Sequence, residues 1–429
     1  MLDLRLLREQ TDEVRERLST LYLETPLDEI LALDERNRAI LSEVEELRAQ
    51  RNTGSKAVSK ERDPETRNRQ IAEMRALGDR IAALDRELDE VKGRLDQALL
   101  EMPNLPDRDV PVGRDDAENV ILRHWGERRV FDFTPLPHWE FAPDLGIVDF
   151  ERGVKVSGSR FYFLKGLGAR LQRATIAWML DLHIEQHGYT EIYPPYLVRT
   201  ESLVGTGQLP KFADNQYHDE PSDLWMIPTA EVPLTNMHRD EIMEPGTLPL
   251  NYVAYSACFR REQFSGGRDT RGIKRGHQFD KVEMVRFVEP DASDAALTEL
   301  VQQAADVLEA LGLPYRAVQM CTGDLSFTAA KKIDLEVWAP GCDEWLEVSS
   351  CSNFRDFQAR RANIRFRPEA GARPVHPHTL NGSGLALPRT IIAIMENYQQ
   401  ADGTFLVPQV LQPYMGGREV VGPVAGRES

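Results

Sequence analysis

From Ile30 the apolar residues step by three and four along the chain, through Leu33, Ile40, Val44 and Leu47, with only Asn37 interrupting the seam. A second series runs through Met74, Leu77, Ile81, Leu84, Leu88, Val91, Leu95 and Ala98. Both are heptad patterns, which put a narrow apolar stripe on one face of a helix. Between them "NTGSKAVSKERDPE" carries Gly54 and Pro64, which interrupt helical pairing, so the spacing predicts an antiparallel helical hairpin over about residues 28–100. At 1.5 Å per residue a first helix over 28–58 is on the order of 45 Å long. Such a hairpin can lie on a globular body, pair with a second copy, or project as an arm.

The pattern changes after "EMPNLPDRDVPVG", where Pro103, Pro106 and Pro111 stop the helix. The expected division is an N-terminal domain over 1–110, a second domain over 111–415 and a small polar tail over 416–429. Helical spacing recurs at 166–187 and about 292–311. Strand-like runs occupy 251–262, 278–288, 332–338 and 344–349. Several strands follow one another without an intervening helix, which predicts an α+β fold with an antiparallel sheet rather than a doubly wound parallel one.

Length and composition narrow the class. The chain has 429 residues, 41% of them hydrophobic, enough for a sizeable core in two domains. Its N-terminus spreads charges through "MLDLRLLREQTDEVRERL", which fits neither a secretory signal nor a membrane anchor and predicts a cytoplasmic protein without membrane attachment. The four cysteines form no CxxC pair, so they read as core or strand thiols rather than a zinc site or a disulfide scaffold. A formal net charge of -17 argues against indiscriminate coating of nucleic acid. Local basic patches survive that argument. Around the hairpin turn, Arg48, Arg51, Lys56, Lys60, Arg62, Arg67, Arg69 and Arg75 outnumber Glu61, Asp63, Glu65 and Glu73, a balance that suits either a solvated face or a phosphate backbone.

The densest patch is "FRREQFSGGRDTRGIKRGHQFDKVE", residues 259–283. Read as a hairpin, its alternation puts Arg260 with Glu262 on one side and Phe279, Lys281 and Glu283 on one side. An arginine, an aromatic ring and carboxylates on rigid strands can hold a nucleotide, while the Gly-rich loop between is too long for a tight turn. No GxxxxGK[ST] loop is present. "NGSGLALPRTIIAIMEN" instead runs small residues into a helical stretch with Arg389 near its start, where an arginine can meet a terminal phosphate.

These two strings resemble motifs 2 and 3 of the class II aminoacyl-tRNA synthetases. With "TGQLPKF" at 206–212, "PTAEVPLTN" at 228–236, "GRDTRGIKRGHQFDKVEM" at 267–284 and "EVSSCSNFRDFQARR" at 347–361, the chain resembles the bacterial-type seryl-tRNA synthetases over about residues 1–415. The resemblance implies a class II catalytic domain with an antiparallel coiled-coil arm, and formation of seryl-adenylate from L-serine and ATP with Mg²⁺. It implies transfer of serine to tRNA(Ser), and to tRNA(Sec), which this family commonly charges. Serine would be held by Thr229, Ala230, Glu231, Glu283 and Ser383. ATP would be held by Arg260, Arg261, Glu262, Phe279, Glu347, Val348, Ser349, Ser350 and Arg389, with Arg260, Arg389 and Glu347 central to catalysis and Glu347 and Ser350 as Mg²⁺ ligands. Arg48, Arg51, Lys56, Arg268 and Arg271 would contact tRNA, and Pro195 would mark the interface of a homodimer.

Two departures stand out. Arg261 falls at a variable position of motif 2, and Leu387 and Pro388 replace small residues before Arg389, where a proline can tilt the helix that follows. His183, His187 and His277 lack metal spacing. The competing readings are a class II relative that loads a carrier protein and a non-catalytic coiled-coil RNA-binding protein; the long hairpin opposes the first and the full set of nucleotide and serine residues the second.

Overall fold

The computed structural model describes residues 1–263 and 271–423, so Arg268 and the end of the tail lie outside it. The chain divides into two compact units. One comprises 1–18 and 23–103, the other 19–22 and 104–429.

The first unit is built on helices α1 (Leu27–Val58) and α2 (Pro64–Glu101), preceded by the short helices Leu4–Glu9 and Thr11–Ser19. The heptad positions meet as expected: Ile40, Val44 and Leu84 are buried, with Leu47, Leu88 and Val91 packed around them. Four ion pairs join α1 to α2 outside this seam, Arg94–Glu29 at 2.9 Å, Arg80–Glu43 at 2.7 Å, Arg48–Asp85 at 2.9 Å and Arg36–Glu87. The expected break is shorter than "NTGSKAVSKERDPE". α1 runs through Gly54, which faces the end of the Met74 side chain, so this glycine does not end the helix. The reversal occupies 59–63. Asp63 then caps α2, accepting from the Thr66 amide at 2.9 Å, with Pro64 in the first turn where its missing N–H costs nothing.

In the second unit, among the described residues, eight strands form one sheet: β1 (Val120–Trp125), β2 (Thr190–Glu191), β3 (Leu250–Phe259), β4 (Gln278–Val288), β5 (Tyr315–Gln319), β6 (Lys331–Ala339), β7 (Glu344–Asn353) and β8 (His378–Ala386). Their spatial order is β1-β5-β6-β7-β8-β4-β3-β2, with every neighbouring pair antiparallel except β2 and β3. The elements used below are helices α3 (Leu167–Glu185), α4 (Glu231–Asn236), α5 (Ser293–Ala310), α6 (Phe357–Arg361) and α7 (Leu387–Asn397). α3, α5 and α7 bury Leu171, Leu300, Ile391 and Ile394 with sheet residues such as Val282, Leu335 and Leu385 in the main core. β8 escaped the strand reading because its "NGSG" is poor in β-formers; residues 380–382 are nevertheless paired with both β7 and β4.

Among the described residues no helix is long and apolar enough to cross a membrane.

Candidate active site

The site is built on β4, β7 and β8, with the segment that follows β3 and the start of α7. Strand alternation places Phe279, Lys281 and Glu283 on one side of β4, as the sequence predicts. Arg260 and Glu262 reach it differently. β3 ends at Phe259, and Glu262 takes a left-handed backbone with φ +50, so its direction comes from a turn rather than from alternation. A glutamate there costs about 1–2 kcal/mol, which its ion pair with Arg275 at 3.2 Å and the Arg160 bond to its carbonyl at 3.2 Å help offset.

Two bulges aim the remaining groups. Leu335 faces Ser349 while Glu336 faces Glu347, which leaves Val348 as an extra residue on β7 and brings Glu347 and Ser350 to the same cavity. On β8 the extra residue is Gly384, since Val282 faces Leu385 and Glu283 faces Ser383. A Cβ on Gly384 would lie 2.8 Å from His183 Nε2, so only glycine lets β8 pass α3 at this point.

The cleft has two connected parts. One cavity, about 210 Å³, is lined by Arg260, Glu262, Lys274, Arg275, Phe279, Lys281, Glu347, Val348, Ser350, Ser383 and Arg389. The second, about 370 Å³, shares Arg260, Glu262, Lys281, Glu347, Ser350 and Ser383 and adds Thr229, Glu231, Asn381, Gln208, Phe212 and Lys332. The Arg260 guanidinium lies 5.1 Å from the centre of the Phe279 ring. Arg389 sits in the first turn of α7 and donates to the Glu347 carbonyl at 2.6 Å. Pro388 occupies that same first turn, where proline starts a helix; the tilt expected of it is not needed.

Electrostatics differ between the two parts. Glu231 and Glu283 are buried, joined by Asn381, which donates to both at 3.1 and 2.7 Å, and Lys281 pairs with Glu283. Burial and the neighbouring Glu283 push the Glu231 carboxyl up to about 7. Glu347 opens to the cleft, its side chain 45% exposed. Crowding raises its carboxyl, but Arg389, Lys332, Arg260 and Arg275 outweigh that and hold it below the usual carboxylate range. Burial opposes charge on Lys332, yet Asp334, at 3.1 Å, and Glu347 keep it firmly protonated.

Several expected residues stand elsewhere. Ala230 packs its side chain in an apolar cluster with Leu234 and Phe287. Ser349 is buried with its hydroxyl donating to the Ser383 carbonyl at 2.6 Å, so it supports β8 rather than facing a ligand. Arg261 turns away, donating to the Gln216 carbonyl at 2.7 Å and stacking on Tyr217. Arg271 is exposed over Trp139, and Pro195 is exposed while Pro194 is buried. Arg48 is engaged with Asp85, whereas Arg51 and Lys56 lie nearer the hairpin turn. Missed were Lys274, Arg275, Lys332, Asn381 and Gln358, while Lys281 was placed beside Phe279 and Glu283 but given no role. Lys274 and Arg275 fall inside the string that marked motif 2, so they were in view without a direction.

Among the described residues one group, His138, Cys342 and Glu396, brings three metal-ligand atoms within 4.8 Å. The Glu396 carboxylate there already accepts from the amides of His138, Gly341 and Cys342 and from the His138 ring, and the Ile273 amide donates to the other His138 nitrogen. These groups satisfy one another as a structural knot.

A largely antiparallel sheet carrying arginines, an aromatic ring and carboxylates at one site fits a class II aminoacyl-tRNA synthetase. Residues 212–398 match the tRNA synthetase class II core domain (G, H, P, S and T), and residues 1–106 match the seryl-tRNA synthetase N-terminal domain. The chain is 67% identical to the serine–tRNA ligase of Thermomicrobium roseum over 98% of its length and 95% of that protein. It is 60% identical to that of Roseiflexus castenholzii over 98% and 99%. The crystal structure of seryl-tRNA synthetase from Pyrococcus horikoshii complexed with ATP superposes with a TM-score of 0.94 at 40% identity, covering 99% of this chain and 100% of that one. The chain belongs to the seryl-tRNA synthetase family.

Proposed function

We propose that the two parts of the cleft divide the substrates of a serine–tRNA ligase, with serine at the Glu231–Glu283 end and ATP at the Phe279–Arg389 end. The enzyme activates L-serine with ATP and transfers it to tRNA(Ser). The observation that carries the division is the contrast in the carboxylates: of a buried pair, Glu231 lines the cleft and Glu283 lies behind it, while the other part of the cleft is rich in cations. A buried carboxylate suits the α-ammonium of an amino acid, and Glu283 with Ser383 opposite it suits a side-chain hydroxyl. An amino acid without that hydroxyl would leave these groups unpaired, which is a strong basis for rejecting alanine.

ATP lies with its adenine against Phe279 and its phosphates toward Arg260, Arg275 and Arg389. The hard oxygens of Glu347 and Ser350, brought to one cavity by the β7 bulge, fit Mg²⁺, which would neutralise phosphate charge. A serine carboxylate oxygen attacks the α-phosphorus, the bond to the bridging oxygen breaks and pyrophosphate leaves. The 3′-terminal hydroxyl of tRNA then attacks the seryl carbonyl, AMP departs, and the ester forms. No protein nucleophile is required; Arg260 and Arg389 act by position and charge. The enzyme works as a homodimer, with Pro195 at the interface, in the cytoplasm. Arg48, Arg51 and Lys56 on α1, with Arg268 and Arg271, meet the tRNA backbone, and tRNA(Sec) is charged alongside tRNA(Ser) where it occurs.

Serine-dependent exchange of pyrophosphate into ATP tests this reading. It should occur with serine and not with alanine, and absence of exchange would remove it. Deleting 35–95 should spare that exchange and abolish tRNA charging; loss of both would make the arm structural.

A further inference from the structure

Glu231 is held by two amides that have no part in the expected ligand set. Gln358, fully buried in α6, donates to Glu231 Oε1 at 2.6 Å and to the Thr206 carbonyl at 3.3 Å. Its own oxygen accepts from Thr379 Oγ1 at 2.8 Å. The orientation of the amide is therefore fixed: the Thr206 carbonyl can only accept, so nitrogen faces it and the second N–H is left for Glu231. Asn381 completes the arrangement from β8, donating to Glu231 Oε2.

We propose that Gln358 is a positioning residue for the amino-acid subsite, aiming Glu231 into the cleft and favouring its charged form without supplying a competing cation. This rests on the assignment of Glu231 to the serine ammonium. An unsupported carboxyl at this place would protonate or turn. Burial and Glu283 push it toward protonation, and the Gln358 hydrogen bond is the largest influence in the opposite direction. The other charged groups facing it are Lys281 and Arg260, with Glu262, Lys332 and Glu347 elsewhere on the same cavity. Lys281 is engaged with Glu283, so the neutral amides leave the cation's place to the ligand. Gln358 also ties Glu231 to Thr206, where "TGQLPKF" begins, so the carboxylate, that loop and β8 are set by one side chain.

The test is serine-dependent pyrophosphate exchange by the full chain from about pH 6 to about pH 8.5. Gln358→Met removes the donor. It should raise the serine KM about tenfold at pH 7, leave the ATP KM unchanged, and move the inflection of kcat/KM for serine up by about one unit, so that the deficit shrinks as pH rises. A purely structural role would not move that inflection. A profile superimposable on the unsubstituted enzyme, or a parallel rise of both KM values, would overturn the proposal. Gln358→Glu, of the same shape, covers the case in which the methionine variant does not fold: it should raise the serine KM across the whole range, and an unchanged KM would overturn the proposal equally. Failure of the unsubstituted chain to use serine at all would instead strike the assignment of Glu231.

Discussion

Glu231 and Glu347 are the same residue type in one cleft, and their surroundings push them in opposite directions. Glu231 is enclosed beside a second carboxylate, and burial raises it. Glu347 is half-open among four cationic side chains, which together hold it ionised despite crowding. The difference teaches how one sheet face accepts both an ammonium and a polyphosphate. The surroundings of Glu231 have surplus negative charge and need a cation to settle it; those of Glu347 and Arg389 have surplus positive charge and need an anion.

The comparison breaks most easily at a residue that both parts share. Arg260 lines both cavities, so Arg260→Ala should lower the exchange rate by about 10²- to 10³-fold at saturating serine and ATP. Near-normal exchange would sink its role. Glu231→Gln keeps the shape and removes the charge, and should raise the serine KM by about 10- to 100-fold with the ATP KM little changed. Equal shifts in both would mean that the cleft is not divided.

Acid sharpens the contrast. Because the ammonium needs ionised Glu231, the serine KM should rise about tenfold per unit as pH falls below about 7 and level off above it, while the Glu231→Gln enzyme should lose this dependence. The sign for folding is the reverse. A carboxyl raised in the folded state stabilises it most below the unfolded value and ceases to do so as pH rises through about 7, so that contribution favours acid. Thermal unfolding of both proteins across this window measures it. The smallest effect lies in the arm: Arg48→Ala removes an exposed pair with Asp85 and should cost at most about 1 kcal/mol in unfolding, and a larger loss would show that the interhelical pairs act as a network.

Much of this was legible before any coordinates. The heptads located α1 and α2, and alternation placed Phe279, Lys281 and Glu283 together, because both depend only on fixed periodicities. What escaped were departures from periodicity. The bulges at Val348 and Gly384 bring Glu347 to Ser350 and set Ser383 opposite Glu283, and a one-residue insertion in a ladder leaves no mark that a string of letters carries. Ala230 and Ser349 sat in the right strings but point into the core, since proximity in sequence gives no direction. Gln358 and Asn381 were missed for the opposite reason: neutral amides carry no charge pattern, and their importance lies in the two carboxylates they join.

A crystal structure with a non-hydrolysable seryl-adenylate analogue tests the divided cleft most directly. The account predicts the ammonium on Glu231, the hydroxyl between Glu283 and Ser383, and the adenine against Phe279. An analogue bound in the reverse direction, or an ammonium resting on Glu347, would contradict it.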